Sequence, residues 1–131
     1  MKIHLRQTDR IFTKIVRIRD DYICQRCGIK YVSDGVAVRD LKNLGVSHYW
    51  GRSHENTRFN LDNVICLCNF PCHAGENGWE GEKKSGGYYD FMINKLGQEG
   101  FDLLELRAHT YKKRDDKMDK IILTEMLKEL E

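Results

Sequence analysis

The residues of this chain whose types and spacing could do chemistry are cysteines and histidines. The cysteines form two short pairs, and these are Cys24 with Cys27 and Cys68 with Cys72. Between the pairs lie His48 and Asn63, and His73 directly follows the last cysteine. Four thiolates at such spacings are typical ligands of structural zinc. The histidines could accept a proton near neutral pH or bind a second metal ion.

Another cysteine, Cys66, competes for a place in the predicted zinc site. Side chains two residues apart on a strand point to the same face, so Cys66 could replace Cys68 as a ligand. We favour Cys68, because it lies at the turn that carries the second pair and not within the strand. Cys66 is then expected to pack as a small apolar side chain. The alternative interpretation is that some of these cysteines are ordinary buried thiols that bind no metal.

Length and composition predict a single domain over residues 1–131. Of the 131 residues, 40% are hydrophobic and 32% are charged, as in a globular domain with a modest core. No apolar run is long enough to span a membrane, and the first residues lack the apolar stretch of a signal peptide. We therefore expect a cytoplasmic, reducing location, where cysteine pairs are more often metal ligands than disulfides.

The net charge of +2 is too small to identify a nucleic-acid partner by itself. Much of the positive charge lies on one N-terminal segment that contains Arg10, Lys14, Arg17 and Arg19. This segment could be the solvated face of a helix, or it could contact phosphates of a nucleic acid. Charge alone does not decide between the two.

The N-terminal half predicts one helix followed by a hairpin. We expect the helix over residues 8–20, with Thr8 as its N-cap. Its buried side follows from apolar residues near helical spacing, which are Ile11, Phe12, Ile15 and Ile18. Residues 46–50 and 63–67 are predicted to be paired strands, with a further short strand around 36–39. The polar connection between the paired strands is long for a small domain, which favours a functional loop.

The C-terminal half predicts helices. A short helix should begin near Pro71, and the glycine-rich stretch from 75 to 87 should be mobile. A helix over 88–96 should end at Gly97, and residues 101–106 should continue the core. An amphipathic helix over 115–130 should bury six apolar side chains, namely Met118, Ile121, Ile122, Met126, Leu127 and Leu130. Together these elements predict an α+β fold with helices added at both ends of the hairpin.

Three stretches of this sequence resemble the signature of the HNH endonucleases. They are Val-Ser-His-Tyr-Trp at 46–50, Thr-Arg-Phe-Asn-Leu-Asp-Asn-Val at 57–64, and the Cys-x3-Cys-His at 68–73. Within that family the second stretch and the later tyrosine-rich helix are similar to the phage NinG (Rap) recombination proteins. The resemblance covers residues 22–77 and implies a small zinc-stabilised ββα-metal core, with a helical extension over 88–131.

The resemblance also implies a role for individual residues. His48 matches the general base that deprotonates the attacking water. His73 matches the ligand of a catalytic divalent ion, expected to be Mg²⁺ or Mn²⁺, which would stabilise the reacting phosphate. Asn63 matches the asparagine that holds the loop and the base in position. Arg58 is a candidate contact to the substrate phosphate.

One position departs from the family pattern. Many HNH enzymes have an aspartate directly before the base, where it is a second metal ligand, but this chain has Ser47. A serine hydroxyl is a poor ligand for a divalent ion. His54, Glu55 and Asn77 are the substitutes that the sequence offers. The catalytic metal site is a separate site from the cysteine site, which has a structural job.

Three functions follow as hypotheses. The first is a metal-dependent DNA endonuclease that nicks or cuts DNA in phage or prophage recombination or DNA processing. The second is a zinc-dependent DNA-binding module without catalysis, which the departure at Ser47 would explain. The third is an interaction protein whose cysteines only stabilise a scaffold. DNA is the expected partner of the first two, and the protein could act as a monomer or as a homodimer.

Overall fold

The computed structural model describes residues 3–80 and 87–131. It has an α+β fold, as the sequence predicts, with two antiparallel two-stranded sheets. The described helices are α1 (Gln7–Arg19), α2 (Gly87–Ala108) and α3 (Asp116–Leu130). Among the described residues there is no helix long and apolar enough to cross a membrane. The predicted mobility of residues 75–87 falls in part on 81–86, which lie outside the described residues.

The central hairpin joins β3 (Leu44–His48) to β4 (Val64–Cys68). Its antiparallel register pairs Val46 with Cys66 and His48 with Val64. The whole of β4 is buried, because α1 packs on the hairpin and Tyr88 of α2 approaches it at Ser47. Compared with the predicted bounds, β3 lies two residues earlier in the chain and β4 lies one residue later.

A smaller hairpin precedes the central one. It pairs β1 (Val32–Ser33) with β2 (Val36–Ala37). Asp34 and Gly35 between the strands both have positive φ angles, of 52° and 77°, which suits a tight two-residue turn. The short strand that we predict around 36–39 is present, but its partner strand is not evident from the sequence.

Helix α1 lies close to its predicted bounds but begins differently. The residue before its first turn is Arg6, and the Arg6 backbone N–H donates to the Asp9 carboxylate at 2.7 Å. Thr8 is buried inside the first turn and is not the N-cap, so that prediction is wrong. The buried side includes Phe12 and Ile15, as predicted, together with Val16.

Two basic residues of α1 bind carbonyl groups of the protein itself. The Arg17 guanidinium donates to the Leu44 carbonyl at 2.7 Å. The Arg19 guanidinium donates to the carbonyls of Leu61 and Val64. These side chains fasten α1 to the central hairpin, so the phosphate contact considered for this segment does not fit them.

The predicted short helix near Pro71 is wrong. After β4 the chain makes one wide turn over Asn69–His73, and Phe70 inside it has an extended backbone with φ −147° and ψ 132°. A helix cannot continue through an extended residue. In the described part of the chain, the hairpin is therefore not followed directly by an α-helix, and His73 lies at the end of a turn.

Helix α2 contains the break that the sequence predicts. Gly97 has φ 75° and ψ 164°, a conformation that favours glycine, and the helix resumes after it and runs to Ala108. Tyr88 and Met92 are fully buried, and Phe91 and Leu96 are half-buried. The glycine thus bends α2 into two segments that both reach the core.

Helix α3 is present where predicted, with Asp115 capping it by accepting the Met118 N–H at 3.0 Å. The predicted buried side is right only in part, for Met126 and Leu127. Leu123 and Asp119 are buried and Met126 and Leu127 are half-buried, on the side that packs on α1. Four side chains expected in the core are exposed instead, and these are Met118, Ile121, Ile122 and Leu130.

Candidate metal centre and histidine pocket

The two cysteine pairs meet in one cluster. The sulfur atoms of four cysteines lie within 4.8 Å of one another, and the cysteines are Cys24, Cys27, Cys68 and Cys72. The Cys27 and Cys68 sulfurs are 3.6 Å apart. A tetrahedral zinc ion with Zn–S bonds of about 2.3 Å places its sulfurs about 3.8 Å apart. The cluster can therefore hold a zinc ion with little movement.

Hydrogen bonds to the cluster favour thiolates. The backbone N–H groups of Cys27 and Cys68 donate to the Cys24 sulfur at 3.5 and 3.3 Å. Burial raises the pKa of Cys24, but these N–H donors together outweigh burial and lower the pKa to about 7. The Tyr31 hydroxyl donates to the Cys68 sulfur at 3.1 Å. Such donors stabilise the negative charge that zinc ligands carry.

Cys66 lies outside the cluster, and Cys68 belongs to it. The Cys66 side chain is fully buried in the core, where burial raises the pKa of its thiol to about 12. Its sulfur is not among the four that lie close together, and this position, not its pKa, excludes Cys66, because burial raises the pKa of Cys68 as well. The preference for Cys68 over Cys66 agrees with the geometry of the cluster.

The first cysteine turn is attached to both the hairpin and the second turn. The Gln25 N–H donates to the Cys66 carbonyl at 2.9 Å. The Arg26 guanidinium donates to the carbonyls of Cys72 and Asn77, at 3.0 and 2.8 Å. These contacts bring the two cysteine pairs together, although a long stretch of the chain separates Cys27 from Cys68.

A second feature is a cavity of about 290 Å³ that we call the histidine pocket. Six polar side chains line it, and these are Ser47, His48, Arg52, His73, Glu80 and Tyr88. The pocket brings together the two histidines that the sequence singles out, although His48 is the last residue of β3 and His73 lies in the turn after β4. Arg52 and Glu80 also line it, although no motif in the sequence singles them out.

The contacts of His48 define its protonation state. The Nε2 atom lies 2.9 Å from the Arg58 carbonyl oxygen, and because a carbonyl can only accept, Nε2 carries the hydrogen. Burial, with a further effect of the Arg52 charge, lowers the His48 pKa to about 4. The ring is therefore neutral near pH 7, and its Nδ1 atom holds a lone pair. Nδ1 is buried without a hydrogen-bond partner among the described residues.

Asn63 joins the two ends of the connecting loop, residues 49–63. Its side-chain oxygen accepts the Trp50 N–H at 2.8 Å. Its side-chain nitrogen donates to the carbonyls of Trp50 and Thr57, at 2.9 and 3.1 Å. A fully buried amide with three such bonds is a loop brace. These bonds hold the residues directly after His48.

Arg58 does not have the geometry of a phosphate contact. Its side chain is only 3% exposed, and Nε and Nη2 donate to the two carboxylate oxygens of Asp9 at 3.1 and 2.6 Å. Its remaining bonds go to the carbonyls of His4 and Arg52. The guanidinium is thus committed to the interior, where it fixes α1 to the connecting loop, and the role proposed from sequence does not fit.

Arg52 is the cation that faces the histidine pocket. It lies four residues after His48 on the connecting loop, and its Nε is 3.7 Å from the Asp9 carboxylate. Asp9 already neutralises Arg58, so two guanidinium groups share one carboxylate and these three residues keep a net positive charge.

The Ser47 hydroxyl is already engaged, and the predicted substitute ligands lie elsewhere. The Ser47 hydroxyl lies 2.9 Å from the Tyr88 hydroxyl, in the protein interior. His54 bonds the Ala108 carbonyl through Nδ1, and Glu55 forms an ion pair with Arg6. In the described part of the chain, His54, Glu55 and Asn77 are all absent from the pocket lining.

Comparisons of this chain with known protein families, with curated proteins and with solved structures found no match. The resemblance to HNH endonucleases therefore rests on the residues of the motif and on nothing else in the chain.

Proposed function

We propose that this protein is a metal-dependent endonuclease that hydrolyses phosphodiester bonds of DNA, with His48 as the general base. The observation that carries the proposal is the state of the His48 ring. Its hydrogen is fixed on Nε2 by the Arg58 carbonyl, and its unpartnered Nδ1 belongs to a side chain that lines the same pocket as His73. A neutral imidazole held in this way is ready to take a proton from water.

The reaction follows from that arrangement. Nδ1 of His48 takes one proton from a water molecule in the pocket, and the resulting hydroxide attacks the phosphorus atom. The bond from phosphorus to the 3′ oxygen breaks, and the leaving oxygen takes a proton from solvent. The products are a 5′ phosphate and a 3′ hydroxyl. Asn63 supports this step by holding the loop that begins directly after His48.

The pocket suits a divalent cation as well as a phosphate. It offers the His73 imidazole and the Glu80 carboxylate, and nitrogen and oxygen ligands of this kind fit Mn²⁺ or Mg²⁺. When bound, such an ion would stabilise the charge that develops on the phosphate oxygens and the leaving group. Arg52, and not Arg58, is the guanidinium placed to contact the substrate phosphate.

The cysteine cluster has a separate role in this proposal. It shares the β4 end of the central hairpin with the turn that carries His73, since Cys72 and His73 are consecutive. Zinc bound there would fix that turn and, through it, one wall of the pocket. Its four sulfur ligands complete a tetrahedral site and leave no open position for a substrate.

A plasmid assay tests the proposal. Supercoiled plasmid and a branched DNA junction are incubated with the zinc-loaded protein and Mg²⁺, Mn²⁺ or a chelator. We expect metal-dependent nicking or cutting by the wild type, and its loss in His48→Ala by a factor of about 10² to 10⁴. His109→Ala is the matched control, because His109 is an exposed histidine outside the pocket lining, and it should cleave like the wild type.

A second function has one observation in its favour, which is Ser47 at the position where many HNH enzymes have an aspartate. A DNA-binding module without catalysis would bind both substrates at low salt and cleave neither of them with any metal. Absence of both binding and cleavage would contradict both functions and favour the interaction protein.

A further inference from the structure

We propose that Glu80 supplies the carboxylate ligand of the catalytic divalent cation, beside His73, and so takes the place of the missing aspartate at position 47. This inference rests on the proposed function and names a residue outside the motif that suggested it. The site needs such a residue, because one imidazole is a weak holder of a hard divalent cation, for which carboxylate oxygens are the preferred ligands.

The first observation is the path of the chain after His73. Residues 78–80, the return segment, run back alongside the second cysteine turn. The Trp79 N–H donates to the Cys72 carbonyl and the Glu80 N–H donates to the His73 carbonyl, both at 2.9 Å. Glu80 is therefore fixed by its backbone directly next to His73, and both side chains line the histidine pocket.

The second observation is how closely the return segment approaches His73. A Cβ atom at Gly78 would lie only 2.3 Å from the His73 carbonyl oxygen and 2.8 Å from its carbonyl carbon. Both atoms belong to the backbone and cannot rotate away. Only glycine permits this approach, so the sequence Gly78-Trp79-Glu80 is suited to placing a carboxylate beside His73.

The third observation is the anchoring of the return segment. The Trp79 side chain is buried and stacks on Tyr88, with ring centroids 5.0 Å apart and planes 14° apart. On the same ring lies the Arg26 guanidinium, 4.9 Å from the centroid, in a cation–π contact. Trp79 is thus fixed to Arg26 of the first cysteine turn and to Tyr88 of α2. Because Trp79 directly precedes Glu80, Glu80 has a defined position.

The fourth observation is that the alternatives are engaged and Glu80 is available. The Ser47 hydroxyl is bonded to the Tyr88 hydroxyl, and Glu55 is paired with Arg6. Glu80 is exposed at the pocket, and no residue in the described ranges 3–80 and 87–131 forms an ion pair with it. Its carboxylate can therefore turn to a cation without breaking an ion pair within those described ranges.

Metal binding tests the proposal independently of cleavage. The full zinc-loaded chain is titrated with Mn²⁺, and free Mn²⁺ is counted by electron paramagnetic resonance. We expect Glu80→Gln to weaken Mn²⁺ binding at least about tenfold, and Glu80→Asp to retain part of the affinity. Glu76→Gln is the matched control, because Glu76 is an exposed glutamate four residues before Glu80 and outside the pocket lining, and it should bind Mn²⁺ like the wild type.

A measurement on the wild type avoids any question of whether a variant folds. In the NMR spectrum, substoichiometric Mn²⁺ should broaden the amide signals of both His73 and Glu80 more than those of Glu76. Absence of broadening at these two amides would overturn the proposal, as would unchanged Mn²⁺ affinity in Glu80→Gln. If His48→Ala abolishes cleavage in that case, the nuclease function stands and only the assignment of Glu80 fails. A wild type that neither binds Mn²⁺ nor cleaves DNA would refute both.

Discussion

The Arg58 backbone carbonyl accepts the Nε2–H of His48 at 2.9 Å, and this bond determines which ring nitrogen is available for chemistry. The same residue uses its side chain to bind Asp9 on α1. Arg58 thus connects the predicted base to the first helix through its backbone on one side and its guanidinium on the other. A residue that appeared suited to binding a phosphate instead determines the tautomer of His48.

The depressed pKa of His48 predicts a pH dependence of folding. The pKa falls from its ordinary value of 6.5 to about 4 on folding, so the unfolded state binds the proton first as pH decreases. Stability is then present above pH 6.5 and is lost as pH falls from 6.5 towards 4. From about pH 7.5 to about pH 5.5 this residue should remove about 1 kcal/mol from the free energy of unfolding.

Urea unfolding of the wild type and His48→Gln at both pH values measures this effect. The glutamine variant cannot titrate, so its loss of stability between the two pH values should be smaller by that amount. Other titrating groups, including the cysteines, are common to both proteins and cancel in the difference. Equal losses in the two proteins would mean that the His48 ring gains its proton in the folded state at an ordinary pKa.

The buried ion pair between Asp9 and Arg58 predicts a large loss of stability on removal of either partner. Both side chains are 3% exposed. Although burial raises the pKa of Asp9, the hydrogen bond from Arg58 and other contacts lower it overall. Asp9→Asn or Arg58→Ala should cost about 3–5 kcal/mol, because each leaves an uncompensated buried charge. Arg58→Lys should fail to restore this, since an ammonium cannot form the two-pronged contact.

The exposed pair between Arg114 and Asp116 is the matched control for that prediction, because its side chains are 53% and 54% exposed. Arg114→Ala should leave the urea midpoint unchanged, since water and salt screen an exposed ion pair.

Because the folded pKa of Asp9 is lowered, the contribution of its pair with Arg58 is present above pH 3.8 and is lost as pH falls further. A midpoint in Asp9→Asn equal to the wild type near neutral pH would contradict the assigned role.

How far the sequence predicts this structure depends on whether the signal is local. Helix α1 and the central hairpin follow from local periodicity and are found within about two residues of their predicted bounds. In α3 the consecutive residues Ile121, Ile122 and Leu123 are all apolar, but they point to three different sides of the helix. The apolar pattern therefore does not determine which side of α3 packs on α1. Packing selects Leu123 and leaves the two isoleucines exposed.

The candidate site shows the same division. The cysteine cluster could be predicted because its ligands come in short pairs with a known chemical preference. Arg52 and Glu80 could not, since neither belongs to a recognisable spacing. Their roles depend on where the connecting loop and the return segment pass, which tertiary contacts such as the Trp79–Tyr88 stack determine. Arg58 was misassigned because sequence does not reveal that Asp9 reaches it from α1.

The cysteine cluster predicts different outcomes for two neighbouring cysteines. Cys68→Ser removes one of four clustered sulfurs and should lower the zinc content of the purified protein well below one ion per chain, with loss of folded structure in circular dichroism. Cys66→Ser should keep its zinc, because Cys66 lies outside the cluster. It should only lose about 1–3 kcal/mol of stability, because a more polar hydroxyl replaces a buried thiol.

Zinc analysis by mass spectrometry and urea unfolding of both variants provide the measurements. The two substitutions are chemically identical and lie two residues apart on β4, so each is the control for the other. Full zinc content in Cys68→Ser together with zinc loss in Cys66→Ser would reverse the assignment of the fourth ligand.

The contact between Ser47 and Tyr88 predicts coupling between β3 and α2. Both hydroxyl groups are buried, 2.9 Å apart. Tyr88→Phe should destabilise the protein by about 1–3 kcal/mol, because it leaves the Ser47 hydroxyl buried with fewer partners. The double variant Ser47→Ala/Tyr88→Phe should be less destabilised than the sum of the single variants, since it removes both polar groups at once. Urea unfolding of the four proteins completes the cycle.

Tyr49→Phe tests whether loss of any buried tyrosine hydroxyl near Ser47 has the same effect, and it should show no coupling to Ser47→Ala. If the stability losses of the single variants at Ser47 and Tyr88 add up to the loss of the double variant, the two hydroxyls do not stabilise each other. The contact would then not couple β3 to α2.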